Sequence, residues 1–312
     1  MRYAIFSDIH GNAHAFEAAL RDADAQGADH ILVIGDCTNS FPWGDRVVDL
    51  MRIRPATAVR GNGEGYLINL RERDVRTMKD EQFKPVYWAY RTLSRANLNF
   101  LTALPEHTVV THDGDAIRLS HTSHVFYRTP RLKYFSSAYI RELFQKEPFT
   151  RDTYLVKAKA SVLSDPDALA DIATLPEGVY LFGHNHLQFH MEHEGRLFVN
   201  PGSCGEALDY DASAAYTILE YTNGRRTVIE RRVPYDTEAV IKKMHACGFA
   251  AYAPVWSDVL TLELRTGRDF FSTFVRLLAD TNTAHGQSGY PVSDEVWRAA
   301  VRAWDPGAVQ RA

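Results

Sequence analysis

An α/β fold is what this sequence predicts, and three observations point to it. Short apolar runs alternate with helical periods through the first sixty or so residues. Turn-centred pairs of β-rich runs recur later in the chain. Five of the apolar runs stop abruptly at Asp, Asn or His. Strands that alternate with helices argue for βαβ units and parallel pairing. Taken in order, "RYAIFS" (2–7) reads as a buried strand and "NAHAFEAALRDADAQG" (12–27) as an amphipathic helix ending at Gly27. "HILVIG" (30–35) is a second buried strand, "DRVVDLMR" (45–52) a helix and "ATAVRG" (56–61) a third strand. Residues 66–104 are mostly helical in period and end at "LPEH". "HTVVTHDGDAIRLSH" (107–121) reads as two strands around an Asp113-Gly114 turn. Residues 126–160 are mixed, aromatic and basic, and read as helical insertion material. Strands resume at 178–182, 187–192 and 196–199, with "HEG" turning between the last two. Residues 214–233 form a hairpin about Asn223-Gly224. The tail, 236–312, is helical again, with Gly and Pro interrupting it. Its "RDFFSTFVRLLAD" is expected to bury Phe270, Phe271, Phe274, Leu277 and Leu278, as core or as a dimer contact, with Trp297 and Trp304 following.

Composition narrows the classes. A length of 312 residues suggests roughly two domains, with a single large α/β unit still open. Hydrophobic residues make up 45% and charged residues 24%, ordinary for a globular protein with a sizeable core. A net charge of −4 without a basic block offers no electrostatic case for nucleic-acid binding. Cys37, Cys204 and Cys247 have neither CxxC nor framework spacing, which favours reduced thiols in a cytoplasmic protein. The N-terminal apolar run is too short for a signal peptide. No uncharged stretch reaches transmembrane length, so no membrane partner is expected.

The strand ends carry the chemistry. "SDIH" leaves the first strand with Asp8 and His10 two apart, which puts both on one side of an extended backbone. Gly35-Asp36 follows the second strand and "GNGE" (61–64) the third. His121 closes a later strand, and "GHNH" places His184 and His186 after another. In open α/β sheets ligands sit beyond the carboxyl ends of the strands. Each fragment alone has a plain structural reading: a helix cap at Asp8, a turn at Gly35-Asp36, a capped turn at "GNGE", a surface histidine at 121. Paired imidazoles have little structural use, and the five fragments together form an oxygen-and-nitrogen donor set. Such a set suits Mn, Fe, Zn, Ni or Co without a thiolate.

These residues resemble the calcineurin-like metallophosphoesterases. "SDIHGNAHAFEAAL", "VIGDC", "AVRGN" and "VNPGS" look most like the small bacterial phosphodiesterase branch of that superfamily. The resemblance covers about residues 1–65, 105–124 and 176–233. It implies a two-sheet β-sandwich flanked by helices, spanning 1–235, with helical insertions at about 66–104 and 126–160. The helical extension, 236–312, would pack on that domain. It further implies two divalent transition-metal ions, manganese first among the candidates. Asp8, His10 and His186 would hold one; Asn62, His121 and His184 the other; Asp36 would bridge them. The implied activity is hydrolysis of phosphate esters, most of all phosphodiesters, by a hydroxide held between the metals.

Catalytic roles would fall to Asp36, Asn62, His121 and His124, and substrate contacts to Asn12, Asn62 and His124. The sequence departs from the family at Gly63, where a histidine often stands; losing that proton donor favours diesters and good leaving groups. A chain turn at Thr122-Ser123 would return His124 towards the metals, in partial replacement. "NPGS" (200–203) is expected either near the site or as a turn closing the sandwich, and Arg128, Arg131 and Lys133 either recognise phosphate charge from a cap or lie on exposed helices. Small phosphate esters or nucleotides are the expected partners, for a monomer or a homodimer. A protein serine/threonine phosphatase, a nucleotide phosphohydrolase and a non-catalytic metal-binding scaffold remain open as alternatives.

Overall fold

Two five-stranded sheets lie face to face, as the resemblance implies. The computed structural model describes residues 1–71, 73–74, 78, 80–123 and 150–307, and all counts here refer to these. The strands are β1 (Arg2–Phe6), β2 (His30–Ile34), β3 (Ala56–Val59), β4 (His107–His112), β5 (Asp115–Ser120), β6 (Gly178–Leu181), β7 (Gln188–His193), β8 (Arg196–Pro201), β9 (Ala214–Thr222) and β10 (Arg225–Val233). One sheet runs β10-β9-β1-β2-β3 and the other β4-β5-β6-β8-β7. The expected parallel pairing holds within β1-β2-β3 and within β5-β6-β8. It does not extend to the sheet edges, because the hairpins at 107–120 and 214–233 and the β7–β8 turn add antiparallel strands.

The inner strands β1, β2, β6 and β8 are largely apolar because both faces are covered. In β1, Tyr3 and Ile5 point between the sheets, where they meet Leu32, Ile34, Ile117, Leu119, Val179, Leu181 and Leu197. Ala4 and Phe6, on the alternate face, meet α1 (Ala13–Ala25) and α2 (Gly44–Ile53) through Phe16, Ala19, Leu20, Val47 and Met51. Helices α3 (Asn62–Asn69), α4 (Lys84–Thr92) and α5 (Arg95–Thr102) extend this outer layer with Leu67, Ala89, Leu98 and Leu101. Beyond the second sheet, α6 (Arg151–Ser164) and α7 (Pro166–Ala173) cover Tyr180, Phe182 and Phe198 with Tyr154, Val162 and Ile172. The result is four layers, helix–sheet–sheet–helix. Of the 126–160 insertion, residues 126–149 lie outside the described residues, as do His124, Arg128, Arg131 and Lys133.

The tail forms α8 (Thr237–Ala246), α9 (Phe249–Tyr252), α10 (Pro254–Thr266), α11 (Phe270–Ala284) and α12 (Asp294–Ala303). Val240, Phe249, Trp256, Leu260, Phe270, Phe274, Leu278 and Trp297 make its core, and Phe41 from the β2–α2 loop is inserted among them. One expectation fails here. Phe271 is 42% exposed, and Leu277 is only half-buried. Phe270, Phe274 and Leu278 share one face at four-residue spacing, whereas Phe271 lies about 100° further round. No helix of the described residues is long and apolar enough to cross a membrane.

Candidate metal centre

All five polar strand ends meet at one edge of the sandwich. β1 delivers Asp8 and His10, β2 Asp36, β5 His121, and β6 His184 and His186; β3 leads into Asn62 at the start of α3. "GNGE" is therefore the first turn of a helix, rather than a turn that precedes one. Two groups of ligand atoms result: Asp8, His10 and His186, and Asp36, His121 and His184, each with its atoms within 4.8 Å of one another. Asn62 Oδ1 stands 3.1 Å from His121 Nε2 and so joins the second group. Asp36 Oδ2 lies 3.4 Å from His121 Nε2 and 3.8 Å from His10 Nε2, between the two.

The backbone is bent to achieve this. Asp8, His10, Asp36, His184 and His186 all have positive φ, between 50° and 71°. For non-glycine residues that conformation is costly, on the order of 1–3 kcal/mol each, and it persists only where surrounding contacts enforce it. Those contacts are present. Asp8 N and His10 N bond the carbonyls of Gly35 and Asp36, and His184 N donates to Asp8 Oδ2 at 3.0 Å. Gly35, at φ +83°, allows the closest approach: a Cβ there would stand 2.6 Å from Gly61 N and 2.9 Å from His121 Nδ1.

The ring nitrogens on the far side of His10, His121 and His186 face polar partners. His121 Nδ1 donates to the Ile34 carbonyl at 2.7 Å, and His186 Nδ1 to the Glu206 carbonyl at 2.6 Å. His10 Nδ1 faces Glu206 Oε2 at 3.5 Å. With the Nδ1 side engaged, Nε2 of these three histidines is aimed inward, the arrangement found where histidine binds a metal. His10 Nε2 and His186 Nε2 stand 3.2 Å apart, and Asp8 Oδ1 is buried beside them with no hydrogen-bond partner. Two converging lone pairs and an orphaned carboxylate oxygen fit a cation between them. The residues present thus match the divalent metal ions that the donor set suggests.

Electrostatics agree. Burial opposes charge on His10, yet Glu206, Asp8 and Asp36 overcome it and raise its pKa to about 9. Burial is likewise outweighed at His121, where Asp36 and Asp8 raise the pKa to about 10, and at His186, where Asp8 raises it. Asp36 is held at about 2 against burial by His121 and His10, and Asp8 well below its usual range by His186, His10 and His121. His184 differs: burial and the neighbouring charge on His121 lower it to about 4. The pocket demands positive charge, and without a metal protons supply it.

Several residues that build the site escaped the sequence reading. Glu64 is fully buried and accepts from Asp36 N at 3.0 Å, Cys37 N at 2.9 Å and Gly61 N at 2.7 Å, which ties the β2 and β3 ends together. Its place three residues after Gly61, at the start of a helix, was the available signal. Glu206 and Ser40 had none. "NPGS" lies under the site, with Ser203 Oγ donating to the Asp8 carbonyl at 2.7 Å and to nothing that faces outward. Asn12 requires a correction. Rather than facing a substrate, it is fully buried, caps α1 by accepting from Ala15 N, and donates to the Gly205 carbonyl and Tyr235 Oη. Each hydrogen bond of its side chain is to the fold itself. His124, expected to reach the metals, lies outside the described residues.

Comparison with known proteins follows the same lines. Residues 1–224 match a family described as the calcineurin-like phosphoesterase superfamily domain. An uncharacterised protein of Methanocaldococcus jannaschii is 23% identical over 256 residues, covering 77% of this chain and 90% of that protein. Two solved structures share the fold. A metallophosphoesterase from Sphaerobacter thermophilus superposes with a TM-score of 0.59 at 23% identity, covering 86% of this chain and 100% of that one. A hypothetical protein from Pyrococcus horikoshii gives 0.60 at 15% identity, covering 83% and 97%.

Proposed function

Because the chain belongs to the calcineurin-like phosphoesterase superfamily, and is with it a hydrolase of phosphoric esters, we propose that it cleaves phosphodiesters at a two-metal centre. Asp8, His10 and His186 would hold one divalent ion and Asn62, His121 and His184 the other, with Asp36 placed to serve both. Manganese is the first candidate, and Fe, Zn, Ni or Co suit the same donors. When bound, such a pair neutralises phosphate charge and activates water at neutral pH.

The observation that carries the reading is Asp36 set between two three-residue groups, each of which has inward-facing imidazoles. Asp36 is itself positioned by Gly63 N, which donates to its Oδ1 at 2.7 Å from the first turn of α3. Asn62 contributes a neutral oxygen, so the second ion would keep more of its charge for the substrate. His184, neutral near pH 7, is ready to ligate without giving up a proton.

The diester preference rests on Gly63. It has no side chain to protonate a leaving group, and Asn39 fills the adjoining space: Asn39 Nδ2 donates to the Gly63 carbonyl at 2.6 Å. A Cβ on Gly63 would meet that nitrogen at 2.7 Å. A departing aryloxide or nucleoside phosphate needs less protonation than a simple alkoxide. The test is metal analysis followed by a panel of mono-, di- and cyclic phosphates. Hydrolysis should vanish on chelation and return with Mn²⁺, and bis-aryl diesters should turn over faster than the matching aryl monoester. Full activity in metal-stripped protein would remove the metal reading, and a monoester preference at saturating metal would remove the diester reading.

A further inference from the structure

Glu206 is the common anchor of two histidines that stand on different strand ends. Its backbone carbonyl accepts from His186 Nδ1 at 2.6 Å, and its Oε2 faces His10 Nδ1 at 3.5 Å while accepting from Ser40 Oγ at 2.8 Å. Ser203 Oγ accepts from Glu206 N at 2.8 Å, which fixes the backbone from below. Beside that side chain stands a residue of the C-terminal extension. Glu263, on α10, is 2% exposed. Its Oε1 accepts from Phe270 N at 3.0 Å and Phe271 N at 2.7 Å, the opening amides of α11. Its Oε2 is buried and, among the described residues, no donor faces it. The carboxylate of Glu206 is the first of the negative neighbours that act on it.

Two ionised carboxylates buried in contact would repel strongly, and neither could donate to the other. We propose that Glu263 is a positioning residue for the metal centre: its carboxyl group retains a proton, donates it in a hydrogen bond to Glu206, and so holds Glu206 where it orients His10 and His186. The helical extension thereby becomes a working part of the site rather than an appendage. Burial, followed by the negative neighbours Glu206 and Asp269, pushes the Glu263 pKa well above the ordinary carboxylate range, in keeping with a retained proton. Partners that orient ligating histidines typically matter by 10- to 100-fold in metal affinity, so the contribution of Glu263 is measurable.

This inference rests on His10 and His186 as metal ligands, and the experiment separates the two ideas. Infrared spectra of the metal-free protein at neutral pH should contain a neutral-carboxyl stretch that is missing from Glu263→Gln; this arm is independent of any metal. In calorimetric titration with Mn²⁺, Glu263→Gln, which can still donate to Glu206 and accept from the α11 amides, should bind close to the parent. Glu263→Met, which can do neither, should bind about tenfold more weakly at one equivalent. His186→Ala serves as the control that should lose that equivalent altogether. Absence of the neutral-carboxyl band, parental Mn²⁺ affinity in a folded Glu263→Met, or equal losses in the Gln and Met variants would each overturn the proposal. Should Glu263→Met not fold, the infrared band and the Gln titration still decide it. A parent that binds no Mn²⁺, or a His186→Ala that binds it fully, would instead sink the metal assignment.

Discussion

Asp36 Oδ2 stands 3.4 Å from His121 of one group and 3.8 Å from His10 of the other, whereas Asp8 Oδ1 lies nearest His186, at 3.4 Å, and reaches His121 only at 4.0 Å. Asp36→Asn should therefore weaken both metal equivalents and lower kcat more than His184→Ala, which disturbs one. Metal content and turnover measured on the same preparations check this; a larger loss in His184→Ala would contradict it. The histidines also set a pH dependence in metal-free protein. His10 and His121 have folded pKa values of about 9 and about 10 against an ordinary 6.5. The folded state thus binds more protons than the unfolded state above neutrality. Their stabilisation is complete below about pH 6.5 and is lost as pH climbs through 9 to 10. Asp36, depressed to about 2, acts in the opposite sense and loses its contribution only in strong acid. Thermal melts in chelator should show Tm falling from pH 6.5 to 10, and saturating Mn²⁺ should flatten that slope. A metal-free Tm that rose over this range would refute the assignment of charge.

Among the elements, α1 and α3 show how a helix start serves the site in two ways. At α1 the start is purely structural: Asn12 caps the helix and ties it to Gly205 and Tyr235. Asn12→Ala should destabilise the fold by about 1–2 kcal/mol, as lost N-caps do, while a folded sample keeps its metal content and its KM. A raised KM with unchanged stability would restore the substrate contact that the sequence suggested. At α3 the start is functional. Its first residue, Asn62, sets its Oδ1 beside His121 as a candidate ligand atom, its second, Gly63, donates to Asp36, and its third, Glu64, ties down both neighbouring loops. A carboxylate at a helix N-terminus is favoured by the helix dipole, which adds to the case for an ionised Asp36.

For the molecule as a whole, the loop after β2 couples the metal edge to the C-terminal helices. Phe41 N donates to the His10 carbonyl at 2.7 Å, and its ring is 2% exposed within the core of the tail. Its neighbour Ser40 bonds Glu206. Phe41→Ala should cost about 3–5 kcal/mol, the range for a fully buried phenylalanine, a large share of a typical domain's stability of roughly 5–15 kcal/mol. It should also weaken Mn²⁺ binding, because Ser40 and the Glu206–Glu263 contact lie on the same connection. Denaturant unfolding together with Mn²⁺ titration would show both effects. A variant that lost stability but bound Mn²⁺ unchanged would show that the tail and the metal centre are independent.

The sequence by itself was enough for the features that depend on nearby residues or on residue chemistry. Strand–helix alternation over 2–61, the turns at Asp113-Gly114 and Asn223-Gly224, and the candidate ligands at strand ends, Asp8, His10, Asp36, Asn62, His121, His184 and His186, all belong to this class. Periodicity reports which faces are buried, and left-handed turn residues and imidazoles are recognisable wherever they stand. Tertiary structure brings the candidate ligands into two groups, as the family resemblance implied; spacing along the chain could not, because the grouping depends on how two sheets stack. It decided the fate of Asn12 and Phe271 for the same reason: a capping amide and a ligand amide look alike in sequence, and which side of a helix is covered depends on its neighbour. Glu206 and Glu263 lie 57 positions apart by their numbers in the chain and carry no local pattern. Their pairing, and with it the link from the tail to His10, exists only because α10 packs against the loop that follows β8.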